Sequence, residues 1–303
     1  HTVNPGDNPW TPLEKLGELT IYEHTPDDQI ISQARGHEIV VSNKAPLNAP
    51  TIAQLPDLKF IAVTATGYNN IDVQAAAKRG IAVANVPEYG TDSVAQFTFA
   101  LLLELCHQIG LHDRAVRDGE WTRVRDFSFW KTPLIELAGK TMGIVGFGRI
   151  GRRVGDLARA FGMKVLAYSP SQQGTTLDQV FSQSDVVSLH CPLTADNREM
   201  VNAAMLAKMK RSAFLINTAR GLLVSERDLA DALNSGRIAG AAVDVVSQEP
   251  IRPDNPLLRA RNLIVTPHMA WAALEARQRV LQATAENVAG FIAGKPINVV
   301  NGV

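Results

Sequence analysis

"TMGIVGFGRIGRRVGDLARAFGMKVLAYS", residues 141–169, decides the fold of this 303-residue chain. A short apolar segment runs into a glycine-rich turn, a helical pattern follows the turn, and a second apolar segment ends at Ser169. The turn carries Gly146, Gly148 and Gly151 in a G-x-G-x-x-G pattern. Between a strand and a helix, this pattern predicts a binding site for the pyrophosphate of a dinucleotide.

Each glycine of this turn would have its own physical role. Gly146 would make the tight turn, Gly148 would let the backbone approach a phosphate, and Gly151 would let the helix pack closely on the strand. The start of the helix, at Arg149 and Ile150, would supply N–H donors and a positive dipole. We therefore expect these five residues to bind a dinucleotide. The alternative is that the glycines serve only the tight turn.

The end of the second apolar segment bears on the choice between NAD and NADP. An acidic residue there would accept hydrogen bonds from the adenosine ribose and repel a 2′-phosphate. Ser169 occupies the position and removes that repulsion, and "PSQQG" after it has no arginine, although Arg149, Arg152 and Arg153 lie at the adjacent turn. We expect NAD(H) or NADP(H), with NADP(H) favoured. The alternative is NAD held by a weaker ribose contact.

The rest of the chain alternates strand and helix patterns, which predicts βαβ units and parallel sheets. Thr11, Pro12 and Glu14 predict a helix that starts with a capping box, and "LTIYEH" after it predicts a strand. One long helical segment is expected from Thr91 to about His112. Between Ser169 and the next helix too few residues remain to complete a mononucleotide-binding half. We expect that residues are missing there and before the first residue; the alternative is a trimmed unit.

Composition narrows the class of partner. Lysine plus arginine and aspartate plus glutamate number 30 each, so no net charge draws the chain to nucleic acid or to an anionic membrane, and a small-molecule partner is expected. The apolar run "FTFALLLELC" contains Glu104 and is too short to span a bilayer. Cys106 and Cys191 have neither disulfide nor metal spacing, which favours free thiols, a reducing cytoplasm and no metal site.

Three polar stretches in the second half, "NTARG", "DVVSQEP" and "VTPHMAW", each follow a predicted strand. Since the carboxyl ends of parallel strands meet at one edge of a sheet, Arg220, Glu249 and His268 are expected to converge there. An arginine suits the carboxylate of a 2-oxo acid, and a histidine can supply a proton near neutral pH. A carboxylate beside that histidine would stabilise its charged form and fix its orientation. Taken singly, each residue also fits a surface loop.

"GIVGFGRIG", "SLHCPLT", "INTARG", "AAVDVVSQEP" and "VTPHMAW" together resemble successive motifs of the D-isomer-specific 2-hydroxyacid dehydrogenase family, over nearly the whole chain. The resemblance implies that His268 donates a proton to the substrate oxygen, that Glu249 is its partner, and that Arg220 anchors the substrate. It also implies cofactor contacts from residues near strand ends and from the start of the interdomain helix: Thr91, His190, Pro192, Thr194, Thr218, Ala219 and Asp244.

The resemblance also implies the domain organisation. The fold is expected to be α/β with two doubly wound parallel-sheet domains. Residues 1–92 and 271–303 would form a flavodoxin-like substrate domain, and residues 93–270 would form a Rossmann-type dinucleotide-binding domain inserted into it. A homodimer is expected through the helix "SVAQFTFALLLEL" and the arm after it, because so apolar a helix must be buried. The alternative is that this helix is buried within one subunit at the domain junction.

In "TATGYNNID", the backbone N–H groups near Thr66 and Gly67 would bind the substrate carboxylate by the same resemblance. The alternative is a simple strand-to-helix turn capped by Asn70 or Asp72. Trp130 in the arm is expected either near an active site or at an interface or core position.

The resemblance is strongest to glycerate dehydrogenase or hydroxypyruvate reductase members. It implies interconversion of a short 2-oxo acid, hydroxypyruvate or glyoxylate favoured, and its D-2-hydroxy acid by hydride transfer with NAD(P)H. One alternative is a formate dehydrogenase-like enzyme, in which glutamine is the usual partner of the histidine. The other is a dinucleotide-sensing corepressor of the same fold.

Overall fold

The computed structural model describes residues 2–170 and 174–303. They form two compact units: the chain up to Gly90 together with Trp271–Val303, and Thr91–Ala270. The strands of the described residues are β1 (Ile39–Ser42), β2 (Phe60–Val63), β3 (Ala82–Ala84), β4 (Thr141–Val145), β5 (Lys164–Tyr168), β6 (Val186–Leu189), β7 (Phe214–Asn217), β8 (Gly240–Val243) and β9 (Leu263–Val265).

The α-helices are α1 (Thr11–Glu14), α2 (Ile30–Ala34), α3 (Ala49–Ala53), α4 (Val73–Lys78), α5 (Thr91–His107), α6 (Ile109–Arg117), α7 (Arg149–Ala160), α8 (Leu177–Gln183), α9 (Ala203–Leu206), α10 (Glu226–Asn234) and α11 (Leu274–Ile292). Short 3₁₀ helices cover Asp27–Gln29, Trp121–Arg123, Gly221–Leu223 and Pro256–Arg259. Several helices begin at a polar cap: Asp72 Oδ1 accepts the Ala75 N–H at 2.9 Å, so Asp72 rather than Asn70 caps α4.

The first unit contains a parallel three-stranded sheet in the order β1-β2-β3. Every residue of β2 is buried, because alternate side chains pack on opposite faces of the sheet. On one face Ile61 and Val63 join a core with residues of α2, α3 and α4. On the other face Phe60 and Ala62 pack against α1 and α11, and the Phe60 ring stacks on Phe291 with centroids 4.6 Å apart.

The second unit contains a parallel six-stranded sheet in the order β5-β4-β6-β7-β8-β9. Val145 and neighbouring residues face a core that includes α8, α9 and α10, and Ile144 faces a core that includes α5 and α7. The β4–α7–β5 and β5–α8–β6 crossovers therefore lie on opposite faces of the sheet. Such a reversal leaves a crevice at the carboxyl end of the central strand, where the glycine turn begins. The expected α/β fold with parallel sheets is confirmed.

Two expectations near the start of the chain are wrong. The α1 helix begins after Trp10 without a side-chain cap, so Thr11 and Glu14 form no capping box. No strand forms over "LTIYEH": no described strand pairs with it, and Ile21 and Tyr22 are 46% and 47% exposed. An alternating pattern becomes a strand only when a neighbour satisfies its backbone groups.

The long helical segment that starts at Thr91 is also corrected. It breaks at Gln108, whose φ of 43° is left-handed, and α6 continues in a new direction. No single helix of the described residues has the length and apolar character to cross a bilayer. Taken together, α5 and α6 have the length and composition of a membrane span, but the chain bends by 54° between them.

The glycine turn is a point of close backbone approach. A Cβ at Gly151 would lie 2.1 Å from the Gly146 carbonyl oxygen, which is closer than any side chain tolerates. A Cβ at Gly155, one turn later in α7, would meet its nearest neighbour at 3.4 Å, an ordinary contact. The two positions therefore form a matched pair on one helix.

We expect Gly151→Ala to lower the free energy of unfolding by about 1–3 kcal/mol, because α7 must move away from β4. Gly155→Ala is the control and should be neutral or stabilising by up to about 1 kcal/mol, because alanine favours helix. Denaturant unfolding of both variants measures the difference. Equal stabilities would contradict the close-approach argument.

Candidate active site

The glycine turn leaves open space in which a ligand could bind. Gly146 has a left-handed φ of 95°, and a Cβ there would lie 2.5 Å from the Cys191 backbone nitrogen. Gly148 differs, because a Cβ would meet no atom within 4 Å and its φ of −78° suits any residue. The fold therefore does not require glycine at 148. The open space beside it is what a dinucleotide pyrophosphate would need.

The start of α7 lies beside this space. Arg149 and Ile150 open the helix, and its N-cap residue, Gly148, has no side chain to cap the first turn. Two nearby arginines are engaged: Arg152 Nε donates to the Phe147 carbonyl at 3.2 Å, and Arg153 Nε lies 2.7 Å from an Asp92 carboxylate oxygen. The start of a helix presents backbone N–H groups and a positive dipole, which suit phosphate oxygens.

Ser169 follows β5 directly and is half-buried. The strand order puts it next to the glycine turn, since the Tyr168 carbonyl accepts the Gly146 N–H at 2.8 Å. Of the segment "PSQQG", residues 171–173 lie outside the described residues. In the described residues no acidic side chain stands at the end of β5.

His190 follows β6 and presents a neutral ring. Its Nε2 lies 2.8 Å from the buried Ser188 hydroxyl, and burial lowers the pKa of His190 to about 3. Asn197 shapes the next residues: its Nδ2 donates to the Pro192 carbonyl at 2.8 Å, and its Oδ1 accepts the Thr194 N–H at 2.7 Å. Both Pro192 and Thr194 are exposed at this edge of the sheet.

A buried asparagine holds the loop that carries Arg220. Asn217 ends β7 and is fully buried; its Oδ1 accepts the Ala219 N–H at 3.0 Å and its Nδ2 donates to the Arg220 carbonyl at 2.9 Å. The Thr218 hydroxyl lies 3.2 Å from that of Thr98 in α5. The exposed Arg220 guanidinium donates to the Ala219 carbonyl at 2.7 Å.

His268 and Glu249 form a direct contact. His268 Nδ1 lies 2.6 Å from Glu249 Oε2, and the Val246 N–H donates to Glu249 Oε1 at 3.3 Å. The His268 side chain is 28% exposed, so solvent or a substrate can reach the ring. An imidazole whose Nδ1 donates to a carboxylate keeps Nε2 for a second partner.

Asp244 is fully buried and organises the His268 loop. Its Oδ1 accepts the Thr266 hydroxyl at 2.6 Å and the Met269 N–H at 2.9 Å, and its Oδ2 accepts the Ala270 N–H at 2.8 Å. Its carbonyl accepts the His268 N–H at 2.8 Å, which supports the left-handed φ of 53° at His268. The Asp244 carboxylate therefore bonds to residues on both sides of His268.

The sheet brings the predicted residues of the second unit to one edge. Gly146, Ser169, His190, Thr218, Arg220, Asp244, Glu249 and His268 all follow the carboxyl ends of parallel strands. Thr91 is the first residue of α5. Sequence reasoning missed Asn217 and Gly221. A polar residue ending the apolar run "FLIN" was the available signal for Asn217.

Gly221 is required by a close approach between two loops. A Cβ there would lie 1.9 Å from the Val246 carbonyl carbon, so the loop after Arg220 packs directly on the loop before Glu249.

In the first unit, Thr66 follows β2. Its carbonyl accepts an N–H of the Asn85 side-chain amide at 2.7 Å, and its hydroxyl donates to the Val86 carbonyl at 2.8 Å. The substrate contact of Thr66 and Gly67 stays a prediction.

The chain matches a known protein family and named relatives. Residues 99–270 match the family model described as D-isomer specific 2-hydroxyacid dehydrogenase, NAD binding domain. A hydroxypyruvate reductase of Blautia hydrogenotrophica is 47% identical, covering 99% of this chain and 97% of that protein. A glycerate dehydrogenase of Methylorubrum extorquens is 45% identical, covering 93% of this chain and 92% of that protein.

Solved structures show the same fold. An acyclic imino acid reductase in complex with NADPH and D-Arg superposes with a TM-score of 0.87 at 30% identity, covering 98% of this chain and 97% of that one. D-Lactate dehydrogenase from Aquifex aeolicus, complexed with NAD and lactic acid, has a TM-score of 0.85 at 30% identity, covering 97% and 96%.

The fold and the carboxyl-edge site define a dinucleotide-dependent oxidoreductase. The chain belongs to the D-isomer-specific 2-hydroxyacid dehydrogenase family, whose members interconvert 2-oxo acids and D-2-hydroxy acids with NAD(P)H.

Proposed function

We propose that this chain reduces a short 2-oxo acid, with hydroxypyruvate or glyoxylate favoured, to the D-2-hydroxy acid. The observation that carries the proposal is the 2.6 Å contact between His268 Nδ1 and Glu249 Oε2 at the sheet edge that also bears the glycine turn. The relatives named hydroxypyruvate reductase and glycerate dehydrogenase support this choice of substrate.

The residues divide the work by their chemistry. Arg220 would anchor the substrate carboxylate, because a guanidinium pairs with two oxygens at once. His268, held by Glu249, would deliver a proton from Nε2 to the substrate oxygen. A reduced nicotinamide, when bound at the glycine turn, supplies a hydride for the carbonyl carbon. The carboxylate of Glu249, rather than a glutamine amide, suits a charged imidazole and disfavours the formate dehydrogenase alternative.

The same proposal assigns roles to the two units. Thr91–Ala270 would be the cofactor domain, with Thr91, Gly146, Gly148, Arg149, Ile150, Gly151, Ser169, His190, Pro192, Thr194, Thr218, Ala219 and Asp244 as its cofactor contacts. The unit that contains Thr66 and Gly67 would be the substrate domain. The backbone N–H groups of these two residues would bind the substrate carboxylate.

Replacing the proton donor tests the proposal. We expect His268→Ala to lower kcat for hydroxypyruvate reduction by about 10²–10⁴-fold, because a positioned acid contributes that much to proton transfer. The dissociation constant of NAD(P)H should stay within about twofold, since the glycine turn is untouched. His24→Ala, at an exposed histidine of the other unit, is the control. Wild-type turnover in the His268 variant would overturn the assignment, and ligand-dependent assembly without turnover would favour the corepressor alternative.

We also propose that the ribose pocket accepts NADP(H), favoured over NAD(H). Support comes from Ser169, which leaves no carboxylate at the end of β5 to repel a 2′-phosphate. The structural neighbours include complexes with NADPH and with NAD, so both cofactors occur on this fold.

Initial rates with NADH and NADPH in parallel test the pocket. We expect a higher kcat/KM for NADPH, and Ser169→Asp should lower that value by about tenfold or more through charge repulsion, with a much smaller effect on NADH. Ser169→Thr, which keeps the hydroxyl and adds no charge, is the control. A strong preference of the wild-type protein for NADH would contradict the proposal.

We further propose a homodimer, with the surface formed by α6 and the arm up to Leu134 as its interface. Much of α5 is buried within its own unit, whereas Phe127 and Trp130 are 91% and 65% exposed. Trp130 is therefore no core residue of this unit. Large apolar side chains gathered on one surface are typical of subunit contacts.

Sedimentation velocity tests the interface. The wild-type chain should sediment as a dimer, and Phe127→Asp with Trp130→Asp should convert it to a monomer, because two charges would be buried at the contact. Ile292→Asp, at a 55% exposed apolar residue of the other unit, should leave the dimer intact. A monomeric wild type, or a dimeric double variant, would show that the surface is not the interface.

A further inference from the structure

A single carboxylate closes the loop that carries Glu249. Glu226 Oε1 accepts the Ser247 N–H at 2.6 Å, and Glu226 Oε2 accepts the Ser247 hydroxyl at 2.8 Å. The same Oε2 also accepts an N–H of the Asn255 side-chain amide at 2.9 Å. Ser247 and Asn255 lie at the two ends of the loop that contains Glu249. Glu226 bonds to both residues and therefore links the two ends of this loop.

Glu226 is well placed for this task. It is the first residue of α10, whose start is capped by the Ser225 hydroxyl, and its side chain is half-buried. A carboxylate at a helix N-terminus is stabilised by the helix dipole. The chain reaches Glu226 directly from Arg220 through Gly221, which packs against the backbone of Val246. One short segment therefore carries the substrate anchor and also holds the neighbouring loop.

A chain of contacts leads from this carboxylate to the proton donor. Glu226 holds Ser247, two residues before Glu249, and Glu249 in turn contacts His268 Nδ1 at 2.6 Å. The Val246 N–H also donates to the exposed Glu249 carboxylate, at 3.3 Å. We infer that Glu226 is a positioning residue: it sets the loop at which Glu249 orients His268. The inference rests on the acid–base role given to His268 and Glu249 in the proposed function.

The chemistry of the contact calls for a carboxylate. Glu226 accepts three hydrogen bonds and donates none. The side-chain oxygen of Asn255, Oδ1, already accepts the Leu257 N–H at 3.0 Å, so the Asn255 amide faces Glu226 with its NH₂ group. A glutamine amide would turn an NH₂ group toward N–H or O–H donors on one side. Glu226→Gln therefore disrupts the hydrogen bonds from Glu226 to Ser247 and Asn255 while almost preserving side-chain volume.

The first experiment compares Glu226→Gln with Asp231→Asn, an equal loss of charge at an exposed residue of the same helix. With a saturating 2-oxo acid that the wild-type chain reduces, Glu226→Gln should lower kcat by about tenfold or more, because small misplacements of a reacting group are costly. The dissociation constant of NAD(P)H should stay within about twofold. Asp231→Asn should leave both values unchanged. An unchanged kcat in Glu226→Gln would overturn the inference.

A double-mutant cycle separates positioning from a general structural effect. If Glu226 acts through Glu249, adding Glu226→Gln to Glu249→Gln should cause less than about a twofold further loss of kcat. Independent, multiplicative losses would show that Glu226 does not act through Glu249, and would overturn the inference. Near-UV circular dichroism and thermal unfolding verify that each variant compared is folded.

Ser247→Ala provides a second route if Glu226→Gln does not fold. It removes only the hydroxyl bond to Glu226 Oε2 and leaves the backbone N–H bond. A smaller loss of kcat, again absent in the Glu249→Gln background, supports the inference, and an unchanged kcat opposes it. Failure of the proposed function would appear instead as wild-type turnover in His268→Ala, so the two failures are distinguishable.

Discussion

Strands β4, β6, β7 and β8 of the second unit are buried on both faces of the sheet, which leaves little room for polar side chains except at the strand ends. The middle strands are apolar throughout, apart from residues such as Ser188 and Asn217 that bond locally. Because all six strands run in the same direction, their carboxyl ends share one edge. The glycine turn, Arg220, Glu249 and His268 lie at the same edge for that reason, although His268 comes 122 positions after Gly146 in the sequence.

Arg220, Glu249 and His268, which are expected to meet the substrate, are exposed or half-exposed, and two side chains that hold their loops are buried. Asn217 and Asp244 are almost fully buried, and each uses its polar atoms to satisfy backbone groups of the loop above it. Buried backbone N–H and C=O groups need such partners. The loops at this edge therefore have defined shapes without belonging to a helix or a strand. Such support keeps reacting side chains in place before a ligand arrives.

The contacts also link the loops to one another. Gly221 allows the Arg220 loop to touch the backbone of Val246, and Glu226 bonds to Ser247 just beyond it. Asp244 extends the same connection to the loop of His268. A change in any of these supports would thus be felt at more than one strand end, since packed cores transmit small shifts.

Local patterns in the sequence were enough for the α/β class, the glycine turn, most strands and the candidates Arg220, Glu249 and His268, because periodicity and turn chemistry act between near neighbours. They were insufficient for "LTIYEH", for the break at Gln108 and for the support given by Asn217, Gly221 and Glu226. A strand needs a partner, and a supporting side chain is recognised only by the distant loop that it holds.

The sequence alone determined which chemistry is present at the strand ends. Tertiary structure decided how those ends are braced against one another, because hydrogen bonds and close backbone approaches between distant segments exist only after the sheet has formed.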